Sequence, residues 1–399
     1  MASGSEINLS IVDRFDSNRA RILSFYCYLI SAIGTAISAY GFIVNTEQFA
    51  FSWLWSFMVI FSIVVGSLFW TILHTATDSE WGVLIRRQME NLSSTLAILP
   101  LLFLPLLLFG APYLWKWWGK IPGQDPLLEA KVSFLNIPFF TTRAFLYFIG
   151  LGGVALLLRK FSVNQDRDGA SAHTIKMRKV AIAGLPIFAV CLTFAAVDWL
   201  MGLDYHWFST MWGVYIFAGA AGSSMSVLVL LITWLKKCGH LKLVNNEHYH
   251  VMGKFLLAFT VFWAYIGYSQ YMLIWYANMP EETVYFKIRN TDSWHILSTL
   301  LVVGRFFLPF PVLLFQGAKK RVAVLCGISV WIILMQILDL YVVVLPSLHQ
   351  SGLNLSVYDL SSLVAITGFV AAFYLQKLSS ANLIPSRDPR LLGSLKLSN

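Results

Sequence analysis

Apolar residues run through this chain in long unbroken blocks, separated by short polar groups. About 20 consecutive apolar residues cross a bilayer as a helix. Ten blocks meet that length, at 22–44, 52–75, 92–115, 137–158, 180–201, 208–235, 252–278, 294–316, 322–345 and 357–377. The runs are continuous rather than alternating, which excludes membrane strands of about half that length. The pattern predicts an all-α polytopic membrane protein with ten transmembrane helices, spans 1 to 10 in chain order. An N-terminal segment at 1–21, a ten-helix domain at 22–377 and a tail at 378–399 make up the chain. Met1 to Arg21 is polar and the run after it is long enough to stay in the membrane, which argues against a cleaved signal peptide.

Ten spans place both ends on one side. Of the 29 Lys and Arg residues, 21 fall on that side, and five (Lys116, Lys120, Lys131, Lys287 and Arg289) fall in the opposite loops. The positive-inside rule then predicts cytoplasmic termini. The longest basic run, Arg159 to Lys179, reads as a cytoplasmic loop lying near anionic lipid or docking a partner. No loop is long enough to fold as a catalytic domain, so function is expected within the membrane or in bound partners.

Composition narrows the class further. The 399 residues are 57% apolar and only 12% charged, whereas a soluble domain carries roughly twice that charge. The net charge of +9 is spread among loops, unlike the single basic face of a nucleic-acid binder. Cys27, Cys191, Cys238 and Cys326 are far apart, and no CxxC or Cys/His spacing suits a metal, a cluster or c-type haem.

Small residues line one face of span 6 (Gly219, Gly222, Ser223, Ser226) and of span 1 (Ser31, Gly34, Thr35, Ser38), as close helix packing requires. Pro100, Pro105, Pro186, Pro309 and Pro311 predict kinks in spans 3, 5 and 8.

Ionisable side chains within the hydrocarbon are functional candidates by default. Four stand out: Arg143, Asp198, Arg305 and Asp339. At 1.5 Å per residue, Arg305 lies roughly 16 Å from the outer end of span 8, Arg143 and Asp339 about 9 Å deep, and Asp198 about 4 to 5 Å deep. Two charges of each sign either form buried salt bridges between helices or take part in proton transfer. Above them Asp198, Asp204, His206, Ser209 and Thr210 crowd the turn between spans 5 and 6. Groups of this type titrate where proton exchange needs them. Span 7 sets Tyr265, Ser269, Met272 and Tyr276 at helical spacing, with Gln270 on another face. That stripe lines a wet path or a quinone headgroup pocket, or it packs against neighbouring helices. On the cytoplasmic side His74 and Asp78 close span 2, with Glu80, Arg86, Arg87 and Glu90 before span 3. They form either a solvated, capped loop or the cytoplasmic end of a proton route. His240, His248 and His250 cluster in the next cytoplasmic loop and are expected to be exposed.

A buried b-type haem needs paired axial ligands, and no span carries a His near its centre. HExxH, GxSxG, P-loop and dinucleotide motifs are missing as well. Any redox centre is expected in another subunit.

Several segments together resemble a known family. They are Asp198-Trp-Leu-Met-Gly-Leu-Asp204-Tyr-His206-Trp-Phe-Ser209-Thr210, Phe262-Trp-Ala-Tyr-Ile-Gly-Tyr-Ser-Gln-Tyr-Met-Leu-Ile-Trp-Tyr-Ala-Asn-Met-Pro-Glu-Glu-Thr283, Arg305-Phe-Phe-Leu-Pro-Phe310 and Asp339-Leu-Tyr341. This set looks like the second polytopic (ActF-type) subunit of bacterial alternative complex III, which is similar in turn to the NrfD and polysulfide-reductase membrane subunits. The span 7 block is the most specific; span 1 and the tail carry no matching motif.

The resemblance implies two four-helix bundles, spans 2–5 and 6–9, flanked by spans 1 and 10. It implies a bacterial inner-membrane complex that oxidises menaquinol or ubiquinol and reduces a periplasmic acceptor such as a cytochrome c. Haem c and iron–sulfur clusters would sit in partner subunits beside an NrfD-like sister subunit, and this chain would bind no cofactor of its own. Asp198, Asp204, His206, Arg305 and Asp339 become candidates for proton movement, with Arg143, His74 and Asp78 added from their positions. Tyr265, Ser269, Gln270 and Tyr276 remain quinone or water-path candidates. The competing class is a secondary transporter using Asp198, Asp339 and Arg305 as coupling charges, which the lack of an evident inverted repeat disfavours.

Overall fold

The computed structural model describes residues 12–120 and 125–398, and the first eleven residues of the N-terminal segment and the last of the tail lie outside them. Among the described residues, ten helices are long and apolar enough to cross a membrane. They are α1 (Ser17–Val44), α2 (Thr46–Ala76), α3 (Val83–Leu114), α4 (Ile137–Asp168), α5 (Ser171–Leu203), α6 (Trp212–Lys237), α7 (Asn246–Ala277), α8 (Asp292–Leu314), α9 (Val322–Ser347) and α10 (Val357–Ser379). The predicted polytopic all-α fold is the observed one.

Local chemistry sets the helix starts. Asp16, Asn45, Asn136, Asn245 and Ser356 each stand at an N-cap and accept a backbone N–H of the first turn, satisfying donors the helix itself leaves unpaired. Asn45 alone separates α1 from α2.

Helices α2 to α5 pack as one group and α6 to α9 as a second, while α1 lies along α10. The two groups meet where α2, almost wholly buried, runs against α6. Small residues make these seams close. Ser31 donates to the Ala365 carbonyl at 2.7 Å, and Ser38 contacts Ser361 and Ser362 at 2.9 and 3.1 Å. A methyl group at Gly34 would lie 2.7 Å from the Ser361 carbonyl oxygen, so only glycine allows the α1–α10 contact.

The prolines act as expected in α8, with a particular geometry. Residues Val303–Phe307 form a wide π-type turn just before Pro309. There the Leu308 N–H reaches back to the Val303 carbonyl, which leaves the Gly304 carbonyl free. The Trp331 indole takes it at 2.7 Å, as a freed carbonyl in lipid must be satisfied. A second wide turn, Leu106–Gly110, follows Pro105 in α3.

Three expectations on the side of the termini are corrected, and the tail acquires a defined place. First, α3 starts at Val83 rather than 92, so Arg86, Arg87 and Glu90 are helical and buried instead of lying in a solvated loop. Second, Arg159 to Lys179 is not a long loop: α4 continues to Asp168, turns at Gly169 (φ 70°), and α5 begins at Ser171. Third, His248 and His250 are buried in the first turn of α7, where His248 completes the cap with Asn245. The tail packs against the rest of the protein. Leu383 donates to the Asp13 carbonyl at 2.7 Å, Asp388 accepts from Arg86 at 2.5 Å and from Arg390 at 2.9 Å, and Leu383, Ile384 and Leu391 are buried. Distant partners account for most of this: Arg86 with Asp388, Arg87 with Asp166 and Arg178 with Asp78 neutralise charges far apart in sequence, whereas His248 is held locally by Asn245.

Candidate functional site

The four intramembrane charges resolve into two ion pairs with different surroundings. In the first group of helices, Arg143 of α4 grips Asp198 of α5 with two hydrogen bonds, 2.8 and 2.9 Å. Tyr147, one turn further along α4, donates to the same carboxylate at 2.7 Å. The remaining guanidinium nitrogen donates to the Phe134 carbonyl at 2.9 Å, and the rings of Phe134 and Phe139 lie 3.8 and 4.3 Å from the charge. Each guanidinium nitrogen and both carboxylate oxygens of this pair thus have a partner within the protein. It is a brace between α4 and α5.

The second pair is placed differently. Arg305 sits in the wide turn of α8 and bonds Asp339 of α9 at 2.8 Å. Tyr215 of α6 donates to one oxygen of that carboxylate, and the Trp263 indole of α7 donates to the other at 3.1 Å. Arg305 also bonds Gln336, whose amide reaches Ser62 of α2 at 3.3 Å. All four helices of the second group therefore converge on one carboxylate, with α2 touching from behind. Gly219 makes room: a methyl there would lie 2.8 Å from Gln336 Oε1 and 3.0 Å from Arg305 Nη2. Asp339 is 3% exposed and Arg305 4%.

Asp339, Tyr215 and Trp263 form part of the wall of a cavity of about 720 Å³. Trp207, Trp212, Tyr271, Tyr285 and Phe306 add to its aromatic lining, and Gln270, Arg289 and Asn290 are among its polar members. Val261, Tyr265, Tyr268, Val302 and Val303 line it too and are themselves exposed on the outer surface of α7 and α8. The cavity thus opens sideways, on the surface that faces lipid in a spanning bundle. An apolar chamber with a few convergent polar groups suits a flat amphiphilic ligand, and its charged wall can exchange protons with water or with such a ligand.

The other predicted residues are dispersed. Of the α7 stripe, Tyr265 is on the cavity rim, whereas Ser269 and Tyr276 are absent from the lining and Tyr276 is 89% exposed. The buried face of α7 instead carries Trp263, Ile266, Gln270 and Ile274, because the bulky indole and apolar groups turn inward and carry the hydroxyl stripe outward. Gln270 accepts from Ser209 at 2.8 Å. Asp204 and His206 lie at the surface, with His206 3.3 Å from both Asp204 and Asp125 and tilted against Tyr205 with ring centres 4.1 Å apart. The Tyr205 hydroxyl donates to Asp125 at 2.6 Å and holds its carboxyl below the usual range. His74 is buried with both ring nitrogens unpartnered. Asp78, half-exposed, pairs with Arg178 and with Arg390 at 3.0 Å, away from His74.

Tyr215, Trp263, Gln336, Tyr285, Trp207 and Arg289 escaped the sequence reading. A search for ionisable residues in spans passes over neutral donors, and Arg289 counted only as a loop charge. The one available signal was Gln336, a polar side chain three residues before Asp339 and on the same helix face. Among the described residues, no three His, Cys, Asp or Glu side chains gather as a metal site. No protein-family model matches the chain, and no curated protein matches it.

Proposed function

We propose that this chain is the cofactor-free membrane subunit of a quinol:electron-acceptor oxidoreductase, with its termini in the cytoplasm, and that Asp339 exchanges protons within it. The observation that carries this reading is the Arg305–Asp339 pair on the wall of a laterally open, aromatic cavity. A carboxylate with neutral donors on both oxygens can change its protonation while Arg305 supplies a fixed opposing charge. The cavity has the size and lining to admit a quinone headgroup beside that carboxylate. The family resemblance of the α7 block and of Arg305-Phe-Phe-Leu-Pro-Phe310 supports the same role, with haem c and iron–sulfur clusters in partner subunits.

Affinity purification from the native membrane tests both halves. The chain is expected to bring haem- and cluster-bearing subunits with it, and Asp339→Asn is expected to lower proton release per quinol oxidised in the assembled complex. Asp198→Asn, at the closed brace, is expected to leave that ratio unchanged in whatever complex assembles. A chain that purifies alone and carries a solute across proteoliposomes would make it a transporter instead.

A further inference from the structure

The cavity at Asp339 is not the last compartment before the face opposite the termini. A second, smaller space of about 30 Å³, room for one water, lies beyond it and is bordered by Asp204 and Lys116. Trp207, Tyr285, Arg289 and Val343 line both spaces. The wall between them is therefore one side chain thick.

Its construction is specific. Trp207 and Tyr285 stack face to face, with ring centres 4.1 Å apart and planes at 17°. Arg289 lies 3.4 Å from the centre of the Tyr285 ring and donates to the Val342 and Val343 carbonyls at 2.9 and 2.6 Å. Trp212 meets both rings edge-on and stacks on Tyr215, the donor to Asp339. The Trp207 indole N–H is buried and has no partner, a donor left aimed within the wall. Trp207 belongs to the segment joining α5 to α6, and Tyr285 and Arg289 to the short helix Pro280–Arg289. None of the three lies in a membrane-spanning helix, and Arg289 is pinned by its two carbonyl bonds to α9. Burial, opposed by Arg289 and aided a little by Asp339, pushes the Tyr285 hydroxyl up to about 12, so it stays neutral.

We propose that the Trp207–Tyr285 stack, backed by Arg289, is a gate that separates the Asp339 cavity from the small space at Asp204. A dry aromatic constriction stops a water file, and a fixed guanidinium repels a passing cation. Closed, the wall isolates protons at Asp339; a swing of Tyr285 away from Trp207 joins the two spaces. The inference rests on the reading that protons visit Asp339, but its test does not use proton release.

Ala264 lines the cavity from α7, and the thiol of an Ala264→Cys variant there reports access. In the assembled complex in sealed vesicles, silver ion added on the side opposite the termini follows water, and N-ethylmaleimide arrives through lipid. Slow silver and ready maleimide labelling of that thiol are expected behind the native gate. Tyr285→Ala is expected to raise the silver rate about tenfold, equivalent to removing ~1.4 kcal/mol of barrier, with the maleimide rate unchanged. Tyr285→Phe keeps the stack and should stay slow. Trp207→Leu carries the same expectation as Tyr285→Ala and serves if that variant fails to assemble. Equal silver rates in native and opened forms, or fast silver labelling of the native form, would overturn the gate. A normal gate result beside unaltered proton release in Asp339→Asn would leave the gate standing and refute the role of Asp339.

Discussion

Removing one member of the Arg305–Asp339 pair is expected to destabilise the protein far more than removing both. At 2.8 Å, two unit charges attract by roughly 6 kcal/mol at an effective dielectric of 20. Much of that offsets the desolvation of two ions, so the pair itself contributes little net stability. Asp339→Asn leaves a guanidinium 4% exposed facing a neutral amide, and the expected loss is about 3–5 kcal/mol. Arg305→Met with Asp339→Leu removes both charges and fills similar volume. The double variant should recover to within about 1–2 kcal/mol of native, limited by the stranded Tyr215 and Trp263 donors. The assay is the thermal midpoint of the purified protein in detergent, read by loss of monodispersity, for the native form, both singles and the double. A double variant no more stable than Asp339→Asn would refute the electrostatic argument and leave shape as the cause. A single variant as stable as native would show that the pair is hydrated rather than buried.

The remaining expectations concern the supports of the two charge clusters. Gly219→Ala places a methyl 2.8 Å from Gln336 Oε1 and 3.0 Å from Arg305 Nη2; it should lower stability by about 1–3 kcal/mol and lower proton release with it, measured on the same preparation. Burial alone would raise the Asp388 carboxyl, but Arg86 and Arg390 outweigh it and hold it well below the ordinary range. A folded-state value below the unfolded one means the contribution is complete above about pH 4 and is lost as pH falls further. Asp388→Asn should therefore destabilise at neutral pH and flatten the acid limb below about pH 4, which a series of melting curves across pH will show. Arg143→Leu should loosen α4 from α5 and lower the thermal midpoint by about 3–5 kcal/mol in equivalent stability, because it strands Asp198 with only Tyr147 as partner.

The number of helices and their order were legible in the hydrophobic pattern, because lipid requires long apolar runs and permits little else. Arg143, Asp198, Arg305 and Asp339 were legible for the same reason: each breaks such a run. Their pairing was not, since the 55 and 34 positions separating the partners carry no spacing rule. Nor was the contrast between a closed brace and an open site, which depends on Tyr147 filling one carboxylate's surroundings while a cavity borders the other. The boundaries near the termini misread in one direction. Arg86, Arg87, Glu90, His248 and the tail are polar enough to suggest water, yet they are buried against one another. Composition reports what a residue would prefer alone, and these residues are never alone.

The clasp between Arg86 and Asp388 carries a timetable. The two residues are 302 positions apart, and at about 5–20 residues per second a ribosome needs roughly 15–60 s to pass from one to the other. During that interval α3 enters the membrane with Glu90 as the only acidic partner on its own turn. The segment after α10 then closes the structure from outside, once the ten spanning helices are in place. Until Asp388 has been synthesised, Arg86 has only the nearer of its two carboxylate partners, and the nascent chain is a distinct, less braced species. Docking of Asp388 onto Arg86, rather than the insertion of α10, closes this part of the fold.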